Sequence, residues 1–173
     1  MNYFDLYELP VSFHVDKNQV KKKFYELSKK YHPDRFSQAS EEEQQEVLQM
    51  AALNNAAYKT LSDEDTTMRY ILKQESVLEE EEKYALPPDF LMEMMELNEA
   101  VSEYEDDPTD KKKQLAEENW KAQMRLIKEG TNVLIKKYEV SKSHAVLTEL
   151  KDFYFRKKYL LRIQERLVTF AAR

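Results

Sequence analysis

The sequence predicts an all-α fold built from two helical domains. Its 173 residues include a single glycine, Gly130, and only five prolines, a composition that disfavours a turn-rich β fold. Apolar residues recur at helical spacing through most of the chain, and Val20, Phe24 and Leu27 are the first clear example. Helix-capping residues stand at the start of several of these segments. We therefore expect an N-terminal helical hairpin followed by a C-terminal three-helix bundle.

A short helix and a lysine-rich helix open the chain. The short helix contains Tyr3, Phe4, Leu6 and Leu9. Asp16 is a suitable N-cap for the lysine-rich helix, because its carboxylate can accept hydrogen bonds from the first free amides. Pro33 restricts His32 to extended conformations, so this helix should end near Tyr31.

The third helix begins at a predicted capping box. Ser40 is followed by three glutamates, Glu41 to Glu43, in the first turn, where acids complement the helix dipole. Ser62 and Asp63 should end this helix and cap a fourth. One face of the third helix carries Val47, Ala51, Asn54, Tyr58 and Leu61, and the fourth helix carries Met68, Ile71 and Leu72.

We place domain boundaries at 1–75 and 87–173, with residues 76–86 as an acidic linker. The linker carries four consecutive glutamates, Glu79 to Glu82, and is followed by Pro87 and Pro88, which is typical of a boundary. Helices are predicted at about 88–105, 109–138 and 142–172, joined by short connections that favour antiparallel packing. Gly130 within the second of these costs roughly 1 kcal/mol relative to alanine, which allows a kink.

Composition and charge exclude several classes of function. The chain has no cysteine, so it offers no disulfide and no thiolate nucleophile or metal ligand. No apolar run approaches the roughly 20 residues of a membrane span, and the start lacks the pattern of a signal peptide. We therefore expect a cytoplasmic protein that holds no metal or other cofactor and binds no membrane.

The charge distribution favours a protein partner. The net charge is −6, yet lysines crowd the first third of the chain. A basic patch on an acidic protein suits steering toward an acidic protein surface. A nucleic-acid binder should be basic overall and richer in stacking aromatics, so we expect no nucleic-acid partner.

One predicted helix carries more apolar residues than a bundle needs. Phe90, Met94, Leu97, Val101 and Tyr104 form one narrow stripe that suffices for packing. Three further apolar residues lie roughly 90° to 170° from that stripe, beside three glutamates. These six residues are Leu91, Met92, Met95, Glu96, Glu99 and Glu103. Flexible methionines on an exposed apolar surface suit the binding of a partner.

The first 75 residues resemble the J domain of DnaJ-type co-chaperones. The resemblance rests on the segment 31–35, which contains His32, Pro33 and Asp34 between two helices, and on the segment 53–61. It implies that the turn stimulates ATP hydrolysis by a DnaK-type chaperone. The implied chaperone-binding residues are His32, Pro33, Asp34, Arg35, Lys22, Tyr25 and Lys29. A catalytic role for His32 and Asp34 is disfavoured, because neither a nucleophile nor a clustered metal site accompanies them.

The second domain resembles the HscB family, whose members serve iron–sulfur cluster assembly. The resemblance is carried by the segment 90–97, by the acidic linker and by the length of the bundle. It implies the chaperone HscA and the scaffold IscU as partners, and it is nearest to the bacterial form. The implied client-binding residues are the six named above and an aromatic on the last helix, for which Phe155 is preferred on geometry and Phe153 is the alternative.

Two other functions stay open from the sequence. The bundle of a J-domain protein can instead bind a different client or oligomerise. A small helical nucleic-acid binder is the third interpretation. The His32–Pro33–Asp34 turn favours the first two, and only the face around Leu91, Met92 and Glu96 favours IscU over another client.

Overall fold

The computed structural model describes residues 1–173 and contains helices without any strand. The chain forms two compact units, Met1–Gln74 (unit 1) and Glu75–Arg173 (unit 2). Unit 1 contains α1 (Tyr3–Leu6), α2 (Lys17–Lys30), a 3₁₀ turn (Pro33–Phe36), α3 (Glu41–Leu61) and α4 (Glu64–Gln74). Unit 2 contains α5 (Pro88–Glu93), α6 (Met95–Asp106), α7 (Asp110–Ser141) and α8 (His144–Ala171). The predicted all-α class is confirmed.

The helix ends of unit 1 follow the capping residues seen in the sequence. The Asp16 carboxylate accepts hydrogen bonds from the amides of Asn18 and Gln19 at the start of α2. Ser40 and Glu43 form a reciprocal capping box at the start of α3. The Asp63 carboxylate accepts the amide of Thr66 at 2.9 Å, next to the start of α4. Each cap satisfies amides that have no partner within the helix.

The buried polar residue Asn54 joins the helices of unit 1. Its amide group donates to the Phe24 carbonyl and to the Ser28 hydroxyl on α2, both at 3.0 Å. Its side-chain oxygen accepts the Tyr7 hydroxyl at 2.8 Å. Beside it, the Phe24 and Tyr58 rings stack with centroids 4.2 Å apart. These contacts fix α2 against α3, and so they fix the two helices on either side of the His32–Pro33–Asp34 turn.

The predicted helix over 88–105 is interrupted at Met94. The Asn98 amide group donates to the Met94 carbonyl at 2.9 Å and to the Tyr159 hydroxyl on α8 at 2.8 Å. Phe90 meets the ring of Tyr159 edge-on at 5.6 Å. The break therefore lies where both α5 and α6 are tied to α8.

Helix α7 runs without interruption past Gly130, so the kink that the glycine allows does not occur. The reason for the glycine is instead a close approach. A Cβ at position 130 would lie 2.4 Å from Cε1 of Phe153 on α8, which is closer than side chains tolerate. A side chain at position 130 would force the Phe153 ring to shift, so the glycine permits the close approach of the two longest helices here.

Residues 76–86, predicted to be a linker, belong to unit 2. Lys151 on α8 pairs with Glu82 at 3.0 Å, and the Tyr84 hydroxyl donates to Asp152 at 2.7 Å. Leu86 packs against the buried core of the unit. The segment therefore packs within unit 2 through Glu82, Tyr84 and Leu86, whereas Glu79, Glu80 and Glu81 are exposed.

Candidate functional site

The His32–Pro33–Asp34 turn is exposed and held by its own hydrogen bonds. His32 precedes the 3₁₀ turn with extended backbone, and its Nδ1 accepts the Asp34 amide at 3.3 Å. In a neutral imidazole this leaves the proton on Nε2. The Arg35 guanidinium donates to the Lys29 carbonyl at the end of α2, at 2.9 Å. The Asp34 side chain is 91% exposed, so its carboxylate is available to another molecule.

Helix α2 presents a basic face beside this turn. Lys22, Tyr25 and Lys29 are all exposed, and Tyr25 retains 60% of its accessible surface. Lys23, one position from Lys22, instead pairs with Glu8. The hydrogen bond from Lys23 holds the pKa of the Glu8 carboxyl below its usual range. The predicted chaperone-binding residues of α2 therefore face solvent, whereas Lys23 forms an ion pair within unit 1.

The apolar and acidic face predicted on the second domain is also exposed. Leu91, Met92 and Met95 retain 43%, 67% and 57% of their accessible surface. The stripe predicted for packing is buried, with Phe90, Met94, Leu97, Val101 and Tyr104 between 0% and 6% exposed. Glu96, Glu99 and Glu103 continue the outer face along α6 and are exposed. The core does not use this face, which leaves its side chains free to contact another molecule.

The two aromatic alternatives on α8 have different surroundings. Phe153 lies against Gly130, and the Arg156 guanidinium sits over its ring at 5.1 Å. Phe155 instead stacks on Tyr84 with centroids 4.5 Å apart and planes 9° apart. Phe155 also lines a surface cleft of about 280 Å³ together with Leu86 and Lys158. Phe153 thus packs against α7, whereas Phe155 borders an open cleft.

Sequence reasoning missed the polar cluster around Phe155. Asp152 accepts the Tyr84 hydroxyl and pairs with Arg156 at 2.6 Å, and Arg156 lies over the Phe90 ring at 5.0 Å. Burial, with the Asp152 hydrogen bond second, raises the pKa of Tyr84 to about 12. Tyr84 and Asp152 are distant in the sequence, so no local pattern could have paired them.

The structure offers neither a metal site nor a membrane span. No three histidine, aspartate or glutamate side chains are grouped so as to hold a metal ion. No helix combines the length and the apolar character that crossing a bilayer requires. His14 and His144, the other two histidines, are exposed.

Family models match both units of the chain. A model of the DnaJ domain matches residues 3–70, and a model described as the HSCB C-terminal oligomerisation domain matches residues 86–168. The first match contains the exposed turn and the basic face, and the second contains the apolar and acidic face. The molecule is therefore a J-domain protein with a second helical domain.

Sequence similarity to known proteins identifies the family to which this J-domain protein belongs. A co-chaperone protein HscB homolog of Psychromonas ingrahamii is 30% identical over 169 residues, covering 97% of this chain and 95% of that protein. A Vibrio cholerae homolog is 40% identical over 102 residues, covering 58% of this chain and 60% of that relative's length. The chain belongs to the HscB family of co-chaperones.

Solved structures agree with this assignment. The crystal structure of human co-chaperone protein HscB superposes with a TM-score of 0.78 at 26% identity, over 98% of this chain and 81% of that one. Chaperone HscB from Vibrio cholerae gives a TM-score of 0.66 at 29% identity, over 96% and 99% of the two chains.

Proposed function

We propose that this chain stimulates ATP hydrolysis by the DnaK-type chaperone HscA and delivers the scaffold IscU to it. Unit 1 contacts the chaperone, and unit 2 holds the client. The chain itself performs no bond-breaking chemistry in this proposal. The chaperone's ATP hydrolysis is coupled to weakening the scaffold's hold on a nascent iron–sulfur cluster.

One observation carries the proposal. A single chain presents the exposed His32–Pro33–Asp34 turn on one compact unit and an exposed apolar and acidic face, unused by the core, on the other. Two separate surfaces suit an adaptor that binds two proteins at once. Monomeric proteins rarely expose contiguous apolar side chains without a binding role.

The turn suits a contact with a protein more than a catalytic role. His32 and Asp34 are bonded to each other across the turn, and Arg35 is bonded to the end of α2. These local bonds preorganise the turn, so little conformational freedom is lost on binding. The exposed Asp34 carboxylate is placed to accept charge-assisted hydrogen bonds from a chaperone surface.

The face on unit 2 suits a client with apolar and basic groups. Met92 and Met95 can adapt their flexible side chains to a partner. Glu96, Glu99 and Glu103 follow along α6 and repel acidic partners. In the proposal, apolar contacts supply most of the affinity for IscU and the glutamates supply selectivity.

The proposal is tested with variants of the turn. His32→Gln or Asp34→Asn should abolish stimulation of HscA in a steady-state ATPase assay, because each removes a group that the chaperone contacts. Helicity by circular dichroism and affinity for IscU should stay unchanged. The matched control is His14→Gln, an exposed histidine on a loop, which should stimulate normally. Normal stimulation by either turn variant would contradict the proposal.

A further inference from the structure

The surface cleft of about 280 Å³ on unit 2 is lined by three cations, Lys83, Lys158 and Arg162. We call it the basic cleft. The one carboxylate in its lining belongs to Glu82, which is already paired with Lys151 at 3.0 Å. None of the three cations is paired with a carboxylate of this chain. On a chain whose net charge is −6, the basic cleft therefore holds three positive charges without counter-charges.

Other basic residues on this part of α8 are neutralised within the chain. Arg156 and Arg166 each pair with a carboxylate. Lys158 and Arg162 lie between them in the sequence, are exposed and have no such partner. The folded chain thus uses the arginines on either side for its own ion pairs and leaves the cations of the cleft available to another molecule.

The lining of the basic cleft also includes two stacked aromatic rings, those of Tyr84 and Phe155. The ammonium group of Lys158 lies 5.8 Å from the centroid of the Phe155 ring. An acidic side chain of a partner could pack its methylene groups on these rings while its oxygens accept charge-assisted hydrogen bonds from the cations. The cleft therefore suits a carboxylate carried on a short aliphatic stem.

The basic cleft is continuous with the proposed client face. Helices α6 and α8 meet where the Asn98 amide group donates to the Tyr159 hydroxyl at 2.8 Å. Met95 precedes Asn98 by three residues and Phe155 precedes Tyr159 by four, so each lies about one turn from this seam on its own helix. Farther from the seam are the glutamates of the client face on α6 and the cations of the cleft on α8. The apolar centre of the face therefore has an acidic border on one side and a basic border on the other.

We propose that the basic cleft takes a carboxylate group of the same client that binds the apolar and acidic face. This inference rests on the proposed function, because it takes IscU as the client. A client that fits presents basic groups toward α6 and an acidic group toward α8. Turning that client around on the face would bring like charges together, which is costly. Lys158 and Arg162 therefore determine the orientation in which unit 2 holds its client.

Charge reversal in the full-length chain tests the contribution of the cleft. Lys158→Glu with Arg162→Glu should weaken IscU binding about tenfold at low salt by calorimetry, because attractive contacts become repulsive. The loss should shrink at 1 M salt, where charges are screened beyond about 3 Å. The control, Arg125→Glu with Lys128→Glu, replaces the same residue types at exposed positions of α7 and should bind as the original chain does. Circular dichroism checks that both variants fold. Unchanged affinity, or a loss that persists at 1 M salt, would overturn the proposal.

Cross-linking with a water-soluble carbodiimide tests the contact itself, because this reagent joins a lysine amine to a carboxylate that touches it. In the complex with IscU, Lys158 or Lys83 should couple to an acidic residue of IscU, identified by peptide mass spectrometry. The variant Lys158→Arg with Lys83→Arg keeps the positive charges and should still bind IscU, but it should lose these cross-links because a guanidinium does not couple. IscU binding without any cross-link at these lysines would overturn the basic cleft and leave the proposed function standing. No IscU binding by the original chain would overturn both.

Discussion

Gly130 shows how a single residue sets the spacing of two helices. Cβ at this position would approach Cε1 and Cζ of Phe153 to 2.4 and 2.8 Å. Helix propensity alone favours alanine over glycine by roughly 1 kcal/mol in a helix interior. Overpacking a core typically costs about 1–3 kcal/mol. The packing cost is the larger of the two, so glycine is the better residue here despite its low helix propensity.

Gly130→Ala should lower the free energy of unfolding by about 1 kcal/mol, the net of these two effects. The measurement is urea unfolding followed by circular dichroism. In the same background, Phe153→Leu should recover part of the loss, because the smaller side chain makes room for the new methyl group.

Asn132→Ala on the exposed side of α7 is the matched control and should not destabilise the protein. If Gly130→Ala raises stability as propensity alone demands, the close contact with Phe153 is wrong.

Sequence reasoning succeeded at single residues where the cause is local. Asp16 and Ser40 cap helices through amides two or three residues away, and these contacts are legible in any short window of sequence. From the sequence, Gly130 indicated only that a kink was allowed, because the side chain that it accommodates, Phe153, lies on another helix. Tyr84 was missed for the same reason, since both Asp152 and Phe155 are distant in the sequence.

At the scale of the element, the lysines of α2 lie in two different environments. Lys23 is held by Glu8, whereas Lys22 and Lys29 face solvent next to the turn. Surface charges act over about 10 Å at 0.1 M ionic strength. Their contribution should therefore appear in the rate of encounter with an acidic chaperone surface.

Reversing both exposed lysines, Lys22→Glu with Lys29→Glu, should slow association with HscA about tenfold or more at low salt. The dissociation rate should change less. Stopped-flow or surface-binding kinetics across a salt series measures both rates. Lys111→Glu with Lys121→Glu in unit 2 makes the same change in net charge and should leave the association rate near its original value. An unchanged rate in the α2 variant would exclude this face.

Substitutions can show whether the exposed face of α5 and α6 binds a partner or belongs to the core. A binding residue should change affinity, and a core residue should change stability. The triple variant Leu91→Ala, Met92→Ala, Met95→Ala removes only exposed side chains. Surface substitutions usually change stability by no more than about 0.5 kcal/mol, whereas core truncations cost about 2–5 kcal/mol each. Thermal melting should hardly change. Binding of IscU by calorimetry should weaken by at least about 2 kcal/mol, as expected when interface anchors are truncated.

Val168→Ala, an equally exposed apolar residue on α8, is the control and should keep full affinity for IscU. A large fall in melting temperature with intact IscU binding would show that the three side chains are structural and would remove the proposed client face.

The buried face of a helix could be predicted from the sequence, because apolar residues recur on that face. The stripe from Phe90 to Tyr104 was predicted by periodicity and is buried, and the exposure of Met92 followed from the same geometry. The break at Met94 was not predictable, because it coincides with a contact between Asn98 and Tyr159. Periodicity reports which side of a helix is buried, but it does not report which neighbour a side chain meets.

At the scale of the molecule, the start of unit 2 depends on contacts between distant residues. Four consecutive glutamates followed by two prolines are typical of an exposed linker. Glu82 nevertheless pairs with Lys151, and the side chains of both are less than 20% exposed. Tyr84 stacks on Phe155 and bonds to Asp152. The segment preceding α5 therefore contributes to the same unit as the proposed client face.

A fragment of residues 75–173 should fold alone and bind IscU, and residues 1–74 should not bind it. A shorter fragment, 87–173, loses Leu86, the stack of Tyr84 on Phe155 and the pair between Glu82 and Lys151. Together these contacts are worth about 2–4 kcal/mol, so the shorter fragment should melt at a markedly lower temperature. Thermal circular dichroism and calorimetry with IscU, run on both fragments, measure stability and binding separately. Equal melting temperatures would mean that the preceding segment is a true linker, and an unfolded 75–173 fragment would mean that the two units cannot fold independently.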